Sequence, residues 1–216
     1  MTPFTPPQLE LDAPSRALLF EGLDGDLPPL VLASGSPRRR ELLASLGLTF
    51  EVMPPTVEEA TIDVAGLGPS QIVEKLAVEK GRSVASARPD ALVIGADTIV
   101  VLGNTVLGKP ANAADATRML TALSGTRHHV LTGVAVFYQN RNAVGHRCTT
   151  VAMRPFSQAE AEAYTASGEP MDKAGAYAIQ GLGATLVEGI DGCYFNVVGL
   201  PLVETMRLVK RVLAVG

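Results

Sequence analysis

The stretch PLVLASGSPRRRELL, residues 29–43, joins a short apolar run to a helix start and decides the α/β reading of the chain. Pro29 to Ala33 has the length and continuous apolar character of a buried strand. Ser36 suits an N-cap, Pro37 the first helical position and Gly47 the C-terminal stop, which predicts a helix from Pro37 to Leu46. The free amides and positive dipole end of a helix N-terminus favour an anion. Cations normally collect at the other end, so Arg38 and Arg39 in the first turn, beside the small hydroxyl of Ser34, point to bound phosphate. A solvated basic turn next to Glu41 is the competing account.

Outward from this junction the elements alternate. Thr49 to Met53 reads as a strand, and the loop from Pro54 to Gly68 carries Val57-Glu58-Glu59. A helix from Pro69 to about Ala87 puts Ile72, Val73, Leu76 and Val84 on one stripe, with Lys80 on the same stripe. An ammonium on an inward face must snorkel, pair or meet a ligand. Ala91 to Val101 is a core strand interrupted by Asp97, whose carboxylate needs a metal, a lysine or backbone amides there. Asn112 caps a helix ending at Leu123, and His128 to Tyr138 pairs with His146 to Phe156 as a hairpin through Gln139 to Gly145. Ser157 and Glu160 form a capping box for a helix that stops near Gly168. Short strands at Ala184 to Val187 and Cys193 to Val198, then a helix from Pro201 to about Leu213, complete the pattern.

Bulk properties exclude several classes. A chain of 216 residues with 47% hydrophobic content can bury a substantial core. A net charge of -4 without a long basic face excludes a nucleic-acid polymer as the main partner, and local arginines fit a small polyanion instead. No apolar run approaches membrane-spanning length and the start lacks a leader pattern, so a cytoplasmic protein that does not engage membranes is expected. Cys148 and Cys193 lack metal-ligand spacing and read as reduced thiols. Residues 1–28, with clustered prolines, read as a mobile N-terminal extension to a domain over residues 29–216, although Arg16 to Phe20 could pack as a short helix or strand.

Three apparent motifs do not stand. GNTVLGKP, residues 103–110, fits a phosphate-binding P-loop until Pro110, where the loop requires a hydroxyl for magnesium. Gly181-Leu182-Gly183 lacks the third glycine of a dinucleotide fingerprint, since Leu186 stands in its place. His128 and His129 are adjacent on a strand, point to opposite faces and cannot grip one ion together.

Four segments in order, LASGSPRRRELL (residues 32–43), VIGADTIVVLGNTVLGKP (93–110), MDKAGAYAIQG (171–181) and NVVGLPL (196–202), resemble those of the Maf-like nucleoside triphosphate pyrophosphatases. The resemblance implies a mixed twisted sheet with flanking helices, two lobes around a central nucleotide cleft, and a homodimer. It implies hydrolysis of a nucleoside triphosphate to the monophosphate and pyrophosphate with a divalent metal, Mg2+ or Mn2+. On the matching positions, Asp97 is the proton acceptor, Glu58 and Asp97 are the metal ligands, and Ser34, Arg38, Arg39, Lys80 and Lys109 contact substrate. Glu59 exchanges with Glu58 if the match slips by one residue. Lys173 is either a phosphate ligand or a partner of Asp172.

Base choice rests on Gln180, whose amide complements the N3 hydrogen and O4 of uracil or thymine. An amide can reverse, so cytosine is excluded only if the surroundings fix it. The AY-IQG segment resembles the dTTP and UTP subgroup, with Arg38 and Thr98 also at positions linked to the base. The alternatives are a 7-methyl-GTP or modified-nucleotide pyrophosphatase and a nucleotide-binding division regulator that needs no turnover.

Overall fold

The computed structural model describes residues 13–23 and 26–214. In chain order these residues form α1 (Ala13–Phe20), β1 (Leu30–Ala33), α2 (Pro37–Ala44), β2 (Glu51–Val52), α3 (Pro69–Ala85), β3 (Leu92–Leu102), β4 (Thr105–Leu107) and α4 (Ala113–Leu123). There follow β5 (Arg127–Tyr138), β6 (Arg141–Met153), α5 (Gln158–Ala166), β7 (Val187–Asp191), α6 (Tyr194–Val198) and α7 (Leu202–Leu213). The seven strands make one mixed sheet flanked by helices, in the order β2-β1-β3-β5-β6-β7, with β4 folded back on β3.

Two compact units divide the described residues, one within Met1–Asp97, Gly133–His146 and Gly199–Gly216, the other within Thr98–Thr132 and Arg147–Val198. In the first, β1 runs parallel to both β2 and the start of β3, with Leu30 opposite Leu92 and Ala33 opposite Gly95. All four residues of β1 are buried, as expected of a central parallel strand covered on both faces. Val31, Ala33, Val93, Ala77, Val84, Ala135 and Phe137 fill the core against α3. Glycine sets how closely α3 lies on β3. A Cβ on Gly95 would stand 2.6 Å from the Ala77 carbonyl oxygen and 2.7 Å from Gly81 Cα, distances that no side chain tolerates. Asp97, two residues along the strand, shares the face of Gly95, and Lys80 adjoins Gly81 on the helix. The close approach therefore delivers Lys80 to Asp97.

In the second unit a separate core of Val100, Leu120, Leu123, Val151, Met153, Tyr164 and Tyr177 packs under α4 and α5. Asn112 caps α4 by accepting from Asp115 N at 2.9 Å, and Ser157 with Glu160 makes the expected capping box on α5. β6 and β7 run antiparallel, with Val151 opposite Ile190.

Several sequence expectations are corrected. The hairpin connection is only Gln139-Asn140, with Gln139 at φ +53, so β6 begins at Arg141 and not after Gly145. Ala184 lies in a 3-10 turn, Gly181–Leu186, and the strand follows it. Cys193 to Val198 contains the helix α6 instead of a strand, because a short apolar run carries no periodicity that separates the two. Its buried Asn196 finds Val130 O and Thr149 Oγ1 as acceptors, each at 2.9 Å. The short helix that was open for Arg16 to Phe20 is formed, and Phe20 and Leu27 are buried. The remaining calls on residues 1–12, 24 and 25 lie outside the described residues.

Candidate active site

Ser34 directly follows the strand β1 and is buried. Its Oγ accepts from Ser36 N at 3.2 Å and from Arg39 Nη1 at 3.2 Å. Arg39 Nε donates to the Gly199 carbonyl at 2.8 Å, so two anchors fix its guanidinium plane. Ser36 occupies the N-cap position of α2 but makes no side-chain cap, and Pro37 stands at the first helical position. Burial pushes the Arg39 guanidinium below its ordinary value; Asp97 opposes the shift, Arg38 adds to it and Glu59 opposes it. These four charges act on one another across a small volume.

Lys80 Nζ bonds Asp97 Oδ1 at 2.5 Å and Glu59 Oε1 at 2.6 Å. Lys80 is 6% exposed and Asp97 5%, whereas the Glu59 side chain is 53% exposed. The ammonium thus joins a buried carboxylate to an acid that solvent reaches. Glu58, expected as the second carboxylate, is exposed, and its backbone carbonyl closes a 3-10 turn by accepting from Thr61 N at 3.0 Å. That turn aims the next residue, Glu59, at Lys80. Of the two adjacent acids, Glu59 is the one that meets Lys80.

In the second unit, Thr98 Oγ1 lies 2.9 Å from Thr132 Oγ1, and Thr132 donates its hydroxyl to Asn196 O at 2.9 Å. A hydroxyl has one proton, so with Thr132 donating to Asn196 O, Thr98 is the donor of the pair. Gln180 is half-buried at the start of the Gly181–Leu186 turn, and Lys109 is exposed in the segment after β4. Gly175 N bonds Gly108 O at 3.0 Å, which ties the LGKP segment to the DKAG segment. Lys173 pairs with Asp172 at 2.6 Å and donates to Glu169 O at 2.6 Å, the partner reading of the two left open.

Sequence reasoning missed the Gly199 carbonyl, Thr132 and Asn196. A carbonyl leaves no trace in residue identity, but a buried asparagine in NVVGLPL is a signal of network building. His128 is buried against the Tyr177 hydroxyl at 2.7 Å while His129 is exposed, so the two rings do face opposite ways. Cys148 and Cys193 are free thiols. Among the described residues no helix is long and apolar enough to cross a membrane.

Among the described residues no group of three His, Cys, Asp or Glu side chains converges. Two carboxylates do, Asp97 and Glu59. Magnesium is commonly held by one or two carboxylates and completed by substrate phosphate oxygens and water, so the residues fit a hard cation that arrives with a polyphosphate.

A buried acid paired to lysine, beside an arginine-bearing strand-to-helix turn, is an arrangement on an α/β fold that suits a phosphorylated ligand. The chain belongs to the Maf-like protein family, which matches residues 29–212. It is 55% identical over 181 residues to a dTTP/UTP pyrophosphatase of Moorella thermoacetica, covering 83% of this chain and 92% of that protein. It is 50% identical over 184 residues to one of Pelotomaculum thermopropionicum, covering 84% and 95%. Among solved structures, the Staphylococcus aureus Ham1 protein aligns with a TM-score of 0.42 at 15% identity, over 74% of this chain and 79% of that one.

Proposed function

We propose that this protein hydrolyses dTTP and UTP to the monophosphate and pyrophosphate in the cytoplasm. The observation that carries the reading is the cluster of Asp97, Lys80, Glu59 and Arg39 around the Ser34 turn. The names of relatives at half or more identity supply the bases.

Ser34, the α2 amides and Arg38 and Arg39 bind phosphate oxygens, with Lys80 and Lys109 adding positive charge. Lys80 holds Asp97 at Oδ1, so the proton of the attacking water passes to Oδ2. Water adds to the α-phosphorus, the bond to the bridging oxygen breaks, and pyrophosphate leaves. Asp97 and Glu59 are the residues that would hold a Mg2+ or Mn2+ ion, which supplies neutralisation of the phosphate charge when bound. Gln180 reads the pyrimidine through its amide, and Thr98, hydrogen-bonded to Thr132, is the second residue of base choice in this unit.

Pyrophosphate release from a panel of canonical and modified triphosphates, with magnesium and with chelator, tests the reading. Preferential hydrolysis of dTTP and UTP that stops on chelation is expected. Preference for 7-methyl-GTP moves the substrate assignment, and tight nucleotide binding without release from any triphosphate overturns the enzyme reading.

A further inference from the structure

We propose that Glu169 is a positioning residue for base choice, holding the loop that presents Gln180; this rests on the reading of Gln180 as the base-contacting residue. Glu169 follows Gly168, which turns the chain at φ +77 after α5. Its carboxylate accepts from the Tyr164 hydroxyl at 2.7 Å, from Leu182 N at 3.0 Å and from Gly183 N at 3.1 Å. The Tyr164 oxygen in turn accepts from Ala178 N at 3.2 Å. One tyrosine-glutamate pair therefore grips the backbone two residues before Gln180 and two residues after it.

The glycines of the loop exist for this contact. Gly181 adopts φ +66, and a Cβ there would stand 2.6 Å from Glu169 Oε2. A Cβ on Gly183 would meet the Tyr164 hydroxyl at 2.4 Å and the Ala178 carbonyl at 2.5 Å. Burial resists ionisation of Glu169, yet the Tyr164 hydroxyl and the two amides outweigh it and hold the carboxyl below its ordinary value. Bonds from backbone amides to an ionised acceptor are the stronger kind, so the loop is pinned and not merely packed.

Pinning bears on base choice because a glutamine amide distinguishes uracil from cytosine only while its orientation is held. A loop that shifts lets the side chain meet the base in more than one pose, and the amide can then turn about its last torsion to present either its oxygen or its nitrogen. Glu169→Gln keeps the size but places an amide against one of the three donors, which loosens one side of the grip. Phosphate binding and water activation use other residues, so the effect falls on discrimination and not on turnover in general.

The experiment measures kcat/KM for dTTP and dCTP, with melting temperature, on wild type, Glu169→Gln, Gln180→Ala and the double variant. The expected result for Glu169→Gln is a dTTP-over-dCTP ratio lowered about tenfold, with dCTP hydrolysis within about threefold of wild type. In the Gln180→Ala background the same change should lower the ratio no further, because both variants remove one shared function. An unchanged ratio in folded Glu169→Gln, equal losses on both nucleotides, or additive losses in the double variant overturn the proposal. Should Glu169→Gln fail to fold, Tyr164→Phe decides on the same readout, since it removes one donor and leaves both amide bonds to the carboxylate; an unchanged ratio there overturns the proposal as well. If Gln180→Ala leaves the ratio unaltered, the base-reading role of Gln180 has failed. If Gln180→Ala alters it and Glu169→Gln does not, only the role of Glu169 has failed.

Discussion

Lys80 on α3 and Asp97 on β3 form an ion pair at 2.5 Å with both side chains nearly closed to water. Desolvation makes each charge dependent on the other, and the pair is more a constraint than a source of stability. Lys80→Met strands the Asp97 carboxylate in the sheet, and a loss of about 3 to 5 kcal/mol in unfolding free energy at neutral pH is expected. Urea denaturation of Lys80→Met and of Lys80→Met with Asp97→Asn checks it. Removing the stranded charge should restore part of the loss; an equal deficit in both argues that the methionine fails for steric reasons.

The close approach of α3 to β3 yields a second prediction. Gly95→Ala drives a methyl group into the Ala77 carbonyl, and backbone cannot step aside as a side-chain tip can. Destabilisation of about 1 to 3 kcal/mol is expected, together with lost turnover as Lys80 is pushed from Asp97. Gly35→Ala, where an added Cβ meets nothing within 4 Å, is the control for fold. Full pyrophosphate release in Gly95→Ala would show that the separation of the two elements is not critical.

How much of this was legible beforehand depended on whether a signal was local. The strand-to-helix junction at residues 29–43 was readable because cap, proline and stop signals all lie within one short window, and Lys80 and Asp97 were each flagged as charges where apolar residues belonged. Their mutual distance was not readable, since it follows from Gly81 and Gly95 meeting across two elements. Motif position points to Glu58, whereas the 3-10 turn from Glu59 to Thr61 brings Glu59 to Lys80, and no periodicity announces a single turn in a loop. The α6 segment failed for a related reason, because five residues hold too little pattern to oppose strand to helix. The assignments of Gln180, Thr98 and Lys109 came through the family resemblance and stay proposals for the bench.

Glu59 and Glu58 separate cleanly by mutation. Glu59→Gln removes the exposed acid of the Lys80 cluster and is expected to lower turnover about 10- to 100-fold while raising the magnesium concentration needed for half-maximal rate. Glu58→Gln should change either quantity less than about twofold, as is usual for an exposed side chain away from a site. A magnesium titration of both variants decides, and the reverse pattern would return the metal role to Glu58.

Stability should fall in mild acid through His128. Burial, with a smaller push from His129, lowers its value from 6.5 to about 4, so the folded protein keeps the ring neutral while the unfolded chain binds a proton. Stability from this group is complete above about pH 6.5 and is lost as the pH falls toward 4, by about 3 kcal/mol over the interval. Its Nδ1 is buried without a hydrogen-bond partner, so protonation would add an unsatisfied donor. Denaturation midpoints of wild type and His128→Gln between pH 7.5 and 4.5 test this. The variant should start less stable and decline less steeply; parallel curves would assign the acid sensitivity to other groups.

Asp97→Asn isolates the chemical step. Asparagine keeps the size of the side chain and its oxygen can still accept from Lys80, and Glu59 at 2.6 Å remains to balance the ammonium, so the fold should survive with a loss of about 1 to 3 kcal/mol. The amide has no basic lone pair for a water proton and is a poor ligand for a hard cation, so turnover should fall by about 100-fold or more. Binding of a slowly hydrolysed triphosphate analogue should change far less, because Ser34, Arg38 and Arg39 make their contacts without Asp97. Melting temperature, analogue affinity and pyrophosphate release on one preparation distinguish the outcomes. A folded Asp97→Asn protein with near wild-type release would remove Asp97 as the base and leave it as the structural partner of Lys80, with Glu59 the next carboxylate to test.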